Sequence, residues 1–379
     1  MAVAVKKPKG IATASERKQV KVRKLDRTGK ALRKQIKTAS TKFTNALEKG
    51  DKAYIRRVHL RAKKVDEFVD YEELIRKLKS LGDWFPHPSK VVVENIKPKL
   101  IRVEKRTLEE KLFKICRGYW SMPYSKGYGR RLRYLIVDEA HHGVMGIIGL
   151  QSPPADLSCR DDLMEAPSET KLILVNSRLD AYTVGAMPPY SGLLGGKLIA
   201  GLLCSETIAR DYWRMYGRAR TQMLNRRLPQ PLLAVTTTSA FGKSSIYNRV
   251  KYHDRMLAEP IGFTKGFGTI HLEHLYDGME CWLKRKVLFI PPGYGNGPKV
   301  RWQNIVRAGQ ALSIPQQSLR HGLNREVFLF RHVANLTEVC RDGATPERIP
   351  FLDDDWFKFW LKRWAIPRAE RCPEWINVN

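Results

Sequence analysis

The chain has 379 residues and a formal net charge of +30, with 68 Lys plus Arg against 38 Asp plus Glu and a hydrophobic fraction of 43%. That apolar share supports a buried core and excludes global disorder, and the length implies one large domain or two to three smaller ones. The cationic excess points to a polyanionic partner. The longest apolar run, Leu193 to Cys204, contains Lys197 and three glycines and is too short for a membrane span, so the expectation is a cytoplasmic protein with no membrane partner.

Residues 1–64 hold 21 Lys plus Arg and four acids, a net +17, which leaves +13 for the other 315 residues. Residues 1–14 lack apolar periodicity and read as disordered. From Ser15 the spacing of Val22, Leu25, Leu32 and Ile36 predicts helices with a basic outer face, interrupted near Gly29 and Gly50. A second helical stretch covers 51–81, and Trp84-Phe85-Pro86 with Pro88 marks a linker. Ile101–Val103 reads as a strand, and Thr107-x-x-Glu110 as a capping box opening a helix to Cys116. Leu132–Asp138 and Val144–Leu150 flank His141-His142-Gly143 as a hairpin. Strands are expected at Lys171–Val175, Leu179–Ala186, Leu232–Thr237 and around Pro260–His271. Helices are expected at Gly195–Leu203, Ser205–Tyr216 and Ser244–Met256, and from Glu273 to the end. The organisation is thus a basic helical arm (1–90), an α/β body (91–272) and a mainly helical region (273–379).

Several motifs suggest chemistry. Val137-Asp138-Glu139-Ala140-His141 reads like a helicase DEAH box, but no GxxxxGK[ST] precedes it. The Gly-Lys-Ser at 242–244 lies downstream with an incomplete phosphate cradle, so ATP hydrolysis is not expected. His271 and His274 sit at a strand-to-helix switch with no third ligand evident, so no metal site is assigned. The six cysteines have neither CxxC nor zinc-finger spacing and read as reduced thiols. His321 and Arg325, four apart, would share a helix face and suit a phosphate or a carboxylate; a helix start with an ion pair accounts for them equally. The strand Leu179–Ala186 feeds Pro188 to Leu198, a glycine-bearing turn before a helix. Such a turn suits a pyrophosphate, through backbone N–H groups and the helix dipole, or simply close packing.

Taken together, Asp180 to Ala186, Pro188-Pro189-Tyr190, Leu194 to Leu198, Thr236 to Arg249, Gly262 to Gly268, and His321-Gly322 with Arg325-Glu326 resemble the DruA-type component of Druantia anti-phage defence systems. The blocks span about 95–335. The element order is also similar to the GNAT acyltransferase fold. That resemblance implies a mixed central sheet flanked by helices, with acyl-CoA or another nucleotide-type cofactor between the fourth and fifth strands. It implies cofactor contacts from Tyr190, Gly192, Gly195, Gly196 and Lys197, and a thiolate-protonating tyrosine at Tyr247 or Tyr252; in an acyltransferase-like enzyme Asp180, Tyr182, Thr238 and Tyr247 would be the candidate acid–base or positioning groups. The glycines at 192, 195 and 196 depart from the [Q/R]-x-x-G-x-[G/A] turn of those enzymes.

The leading reading is a nucleic-acid-binding defence component, engaging DNA through Lys21, Arg23, Lys24, Arg33, Lys34, Arg56 and Arg57. One alternative is an acyltransferase-like enzyme modifying a base or a protein. The other is a catalytically silent subunit that loads a helicase or nuclease partner onto DNA.

Overall fold

The computed structural model describes residues 25–67, 76, 79–122, 129–168, 170–220, 225, 231–266, 270–291 and 300–377. Along the chain run α1 (Arg27–Glu48), α2 (Lys52–Glu67), β1 (Pro98–Arg102), α3 (Leu108–Gly118), β2 (Arg131–Asp138) and β3 (Gly143–Gln151). Next come α4 (Ser158–Met164), α5 (Lys171–Asn176), β4 (Arg178–Ala186), α6 (Gly195–Gly201), α7 (Glu206–Tyr216) and β5 (Ala234–Thr238). The ribbon β6 (Lys251–Tyr252) and β7 (Arg255–Met256) leads to β8 (Glu259–Phe263), α8 (Tyr276–Arg285), α9 (Val300–Ala311) and β9 (Glu326–Arg331). The chain closes with α10 (Leu336–Asp342), α11 (Asp353–Trp360), a π-helical turn at Leu361–Ala365 and α12 (Ile366–Arg371).

Two compact units form: Met1–Ile55 with Gly268–His321, and Arg56–Phe267 with Gly322–Asn379. In the first, α1 buries Gly29, Leu32, Ile36, Phe43 and Ala46, an alternating three-to-four spacing that keeps one stripe inward. The helix passes straight through Gly29, where an added Cβ would lie 3.1 Å from Trp282 Nε1. Asp26 caps it, accepting from Gly29 N at 2.7 Å and from Trp282 Nε1 at 3.1 Å. With Lys286 Nζ 2.9 Å away, its carboxyl is held well below the ordinary range, chiefly by the Lys286 hydrogen bond.

The second unit is α/β, built on a mixed seven-stranded sheet in the order β1-β2-β3-β4-β5-β9-β8. Every pairing is antiparallel except β4 with β5. One face buries Tyr134, Ile148, Leu179, Ala181, Val235, Phe328 and Phe330 under α6, α7 and α11. The other carries two separate apolar clusters: Leu135, Val137 and Ile147 with Phe113 of α3, and Ala234 and Leu329 with Met164 of α4 and Leu336 of α10. The Thr107 capping box forms: Thr107 Oγ1 accepts from Glu110 N at 3.3 Å, and Glu110 Oε2 accepts from Arg106 N at 2.9 Å.

Besides the interruption at Gly29, four expectations are corrected, the first being a helix face shared by His321 and Arg325: residues 321–325 form no helix. Lys171–Asn176 is a short helix, not a strand, started by Thr170 N and Lys171 N bonding to Pro167 O and buried through Leu174. Residues 244–256 form turns and the β6–β7 ribbon, because Arg249 (φ 61) and His253 (φ 51) take left-handed backbone that no α-helix accommodates. Within the expected helical region, Glu326–Arg331 is a strand between β5 and β8. Its Val-Phe-Leu-Phe run is buried on both faces, as suits a strand with neighbours on either side. The predicted helix at 51–81 is described over Lys52–Glu67 and at 76, 79 and 80; residues 68–75, 77 and 78 lie outside the described residues.

Candidate functional site

Strand β4 pairs with β5 from Arg178↔Ala234 to Ala181↔Thr237, then continues to Ala186 without β5 beside it. On its other side β4 follows β3 to Gly146↔Ala186, with a bulge where Tyr182 is the extra residue between Ala181 and Thr183. Such bulges re-aim a side chain and tighten the local twist. Here the Tyr182 ring packs over Gly149, where an added Cβ would lie 2.4 Å from the ring. The sequence thus provides a glycine where the tyrosine needs room.

Asp180 precedes that bulge and neighbours Gln151 of β3 and Thr236 of β5 in register. Thr236 Oγ1 donates to Asp180 Oδ1 at 3.2 Å, and Gln151 also bonds the carboxyl. The alternation of side chains puts Asp180, Thr236 and Thr238 on one face, between the two apolar clusters. Burial raises the Asp180 pKa from 3.8 to about 6, against lowering by the Thr236 and Gln151 hydrogen bonds and the charges of Arg160 and Arg325. The carboxyl therefore exchanges its proton near neutral pH, as a general acid or base must.

Tyr247 stands on the opposite face. Its hydroxyl is 3.5 Å from Thr237 Oγ1, and its ring packs on Phe328 and Phe330 at centroid distances of 5.0 and 6.1 Å. Burial pushes its pKa up to about 12. The sheet therefore brings Asp180, Tyr182 and Thr238 to one face and leaves Tyr247 in the core of the other.

The glycine turn is closed on itself. The amides of Gly192, Leu193, Gly195 and Lys197 donate to Pro189 O, Tyr190 O, Tyr190 O and Leu194 O. An added Cβ on Gly195 would sit 2.6 Å from Tyr190 O, and one on Gly196 would be 3.4 Å from Ile246. Tyr190 is fully buried and donates to Asp138 Oδ2 at 3.0 Å. The C-terminal helices cover the turn: Trp360 Nε1 donates to Leu194 O, and Arg368 Nε to Gly192 O. Lys197 Nζ donates to Asn248 O at 2.7 Å, and burial with the neighbouring Arg249 charge lowers its pKa. These glycines serve close packing, and the four amides are already engaged within the turn. A pyrophosphate does not fit this arrangement.

The DEAH-like segment is a structural pin. Asp138 ends β2 fully buried; Oδ1 accepts from Lys97 N and Ala140 N, and Oδ2 accepts from His141 Nδ1 and Tyr190 OH. Because His141 Nε2 accepts from Val92 N at 3.1 Å, the ring proton sits on Nδ1.

Of the expected nucleic-acid contacts, Lys21, Arg23 and Lys24 lie outside the described residues. In the first unit, Arg33 is half-buried on α1 and Lys34 is exposed. In the second, Arg56 and Arg57 are exposed on α2, and the Arg56 guanidinium lies 5.9 Å from the Phe241 ring centre. His59 stacks on the same ring at 5.4 Å. Phe241 belongs to the loop after β5, whose Lys243 and Arg249 are exposed, as is Lys251 at the start of β6. Sequence reading missed Gln151 and Lys63. Gln151 carried no local signal, because its partnership with Asp180 exists only once β3 and β4 pair. Lys63, 2% exposed, donates to Gly118 O at 2.8 Å and Trp120 O at 2.6 Å, at the end of α3.

The chain belongs to a known class of protein. A family model described as Druantia protein DruA matches residues 49–342. The Druantia protein DruA of Escherichia coli (strain UMEA 4076-1) is 32% identical over 329 residues, covering 86% of this chain and 81% of that protein. The chain belongs to the DruA family and is a component of a Druantia defence system. No solved structure matches it. No helix among the described residues is long and apolar enough to cross a membrane.

Proposed function

We propose that the chain is the nucleic-acid-binding component of its Druantia system, holding DNA against the end of the sheet where β5 terminates. The approach of Arg56 to Phe241 carries this reading. It joins a helix bearing Arg56, Arg57 and Arg61 to a loop bearing Lys243 and Arg249, with Lys251 following at the start of β6. Cations gathered this closely repel one another, and a phosphate backbone relieves the repulsion while releasing its own counterions. In this reading the DNA-bound chain recruits other subunits of the system, a helicase or nuclease among them. The test is an anisotropy titration of duplex DNA over a salt series. Replacing Arg56 and Arg57 with Glu should weaken binding and flatten the slope of log K against log salt by about 2, roughly 0.9 for each phosphate no longer neutralised. An unchanged slope would remove α2 from the interface.

A second reading, a transferase acting on a base or a protein, is favoured by one observation: β4 outruns β5 beside the proton-exchanging Asp180. The sheet order, with its one parallel pair, supports the acyltransferase-like comparison, but the turn does not suit acyl-CoA, so no step is routed through that cofactor. Asp180→Asn that retains binding yet loses phage protection would favour this reading; full protection by that variant would end it.

A further inference from the structure

Arg325 precedes β9 by one residue, and its backbone is fixed from both sides. Its N–H donates to Thr264 Oγ1 at 3.1 Å, and its carbonyl accepts from Thr264 N at 2.8 Å. Strand alternation, with Phe328 and Phe330 on the far face, puts the Arg325 side chain on the face of Val327, which is paired with Thr238. That is the face of Asp180 and Thr236. Arg325 Nε is buried and has no hydrogen-bond partner among the described residues. The Asp180 carboxyl acts electrostatically on Arg325 without hydrogen-bonding it. Burial lowers the Arg325 pKa. A buried guanidinium nitrogen without a partner costs stability, and a guanidinium held near a carboxyl without touching it leaves room for a third group.

The approach to Arg325 is cationic. The loop at Thr264 that fixes its backbone continues into exposed Lys265. The neighbouring Glu326 N donates to Gly242 O at 3.1 Å, and Gly242 precedes exposed Lys243. Two lysines on the two loops bonded to residues 325 and 326 thus stand outside a more deeply placed arginine. A planar guanidinium, with its fork of N–H donors, matches two oxygens of a phosphoryl group. The Thr238 hydroxyl lies on the same face for a remaining oxygen.

We propose that Arg325 is the anchor of a phosphoryl-binding site on the Asp180 face of the sheet, filled by a backbone phosphate of the bound nucleic acid. This deepens the reading of the chain as a nucleic-acid-binding component by assigning one buried contact to it.

The full-length chain and Arg325→Gln would be titrated with inorganic phosphate, read by thermal shift, and with a fluorescent single-stranded oligonucleotide, read by anisotropy. Phosphate should raise the wild-type melting temperature and leave that of the variant unmoved. The oligonucleotide should bind the variant about tenfold more weakly, the effect of losing about one charge-assisted hydrogen bond. Loss of the phosphate response with unchanged oligonucleotide affinity would keep the phosphoryl site but reassign it to a free nucleotide or phosphate, overturning the backbone assignment. Equal phosphate responses in both proteins would overturn the site itself. If the wild type binds no oligonucleotide, the nucleic-acid reading fails, while the phosphate arm still decides on Arg325. Arg325→Met guards against a folding defect. Without ligand it should melt at or above the wild-type temperature, whereas an arginine that merely holds the fold would lower it.

Discussion

Asp138 shows how a motif-like residue is consumed by structure. Four donors converge on its carboxylate, two from backbone and two from side chains. Asp138→Ala would strand all four in the core and should cost about 3 kcal/mol in chemical denaturation. A loss below about 1 kcal/mol would mean that water replaces the carboxylate. Asp180 differs because its environment disfavours charge. The folded chain holds its proton to about pH 6, whereas the ordinary value is 3.8. Between those values the folded state binds more protons than the unfolded one, so this residue's contribution to stability falls as pH rises from about 4 to about 6 and is level above. Thermal melts across that range should show the slope in the wild type and lose it in Asp180→Asn; identical slopes would refute a neutral buried carboxyl.

Among the elements, those with strong local patterns were legible in advance. The β2–β3 hairpin, the Thr107-capped helix and the strand feeding the glycine turn all rest on signals within a dozen residues. The β9 strand was not, because Glu326–Arg331 is set by neighbours that are distant in sequence. Likewise Asp180 and Tyr182 could be singled out from the sequence, but the separation of Tyr247 from them by the sheet depends on which residue of β5 faces which side. Close packing between elements makes a sharp prediction at Gly201 on α6. An added Cβ there would lie 2.1 Å from the Trp356 ring, which is fully buried and donates through Nε1 to Leu198 O at 2.9 Å. Gly201→Ala should therefore destabilise by about 1–3 kcal/mol. A neutral result in urea would show that α11 shifts freely. Lys63→Met tests another join: it removes the ammonium from the α3 carbonyls and should cost about 1–3 kcal/mol, read the same way.

At the scale of the whole chain, the C-terminal helices are built into the core of the second unit. The second unit buries its tryptophans Trp356 and Trp360 against α6, so the tail after Leu352 is part of the core. Deleting residues 353–379 should abolish cooperative unfolding, measured by calorimetry. A cooperative transition in the truncated chain would show that α6 packs without it.

The place of β9 has a consequence for how the protein is made. β5 and β8 both leave the ribosome well before β9, and until Arg331 emerges each has a strand edge with no partner. Unpaired edges are where nascent chains join one another instead of themselves. Interruption of synthesis between Phe263 and Glu326 would release a chain with one β5 edge and the whole β8 strand unpaired, prone to aggregation and to capture by chaperones.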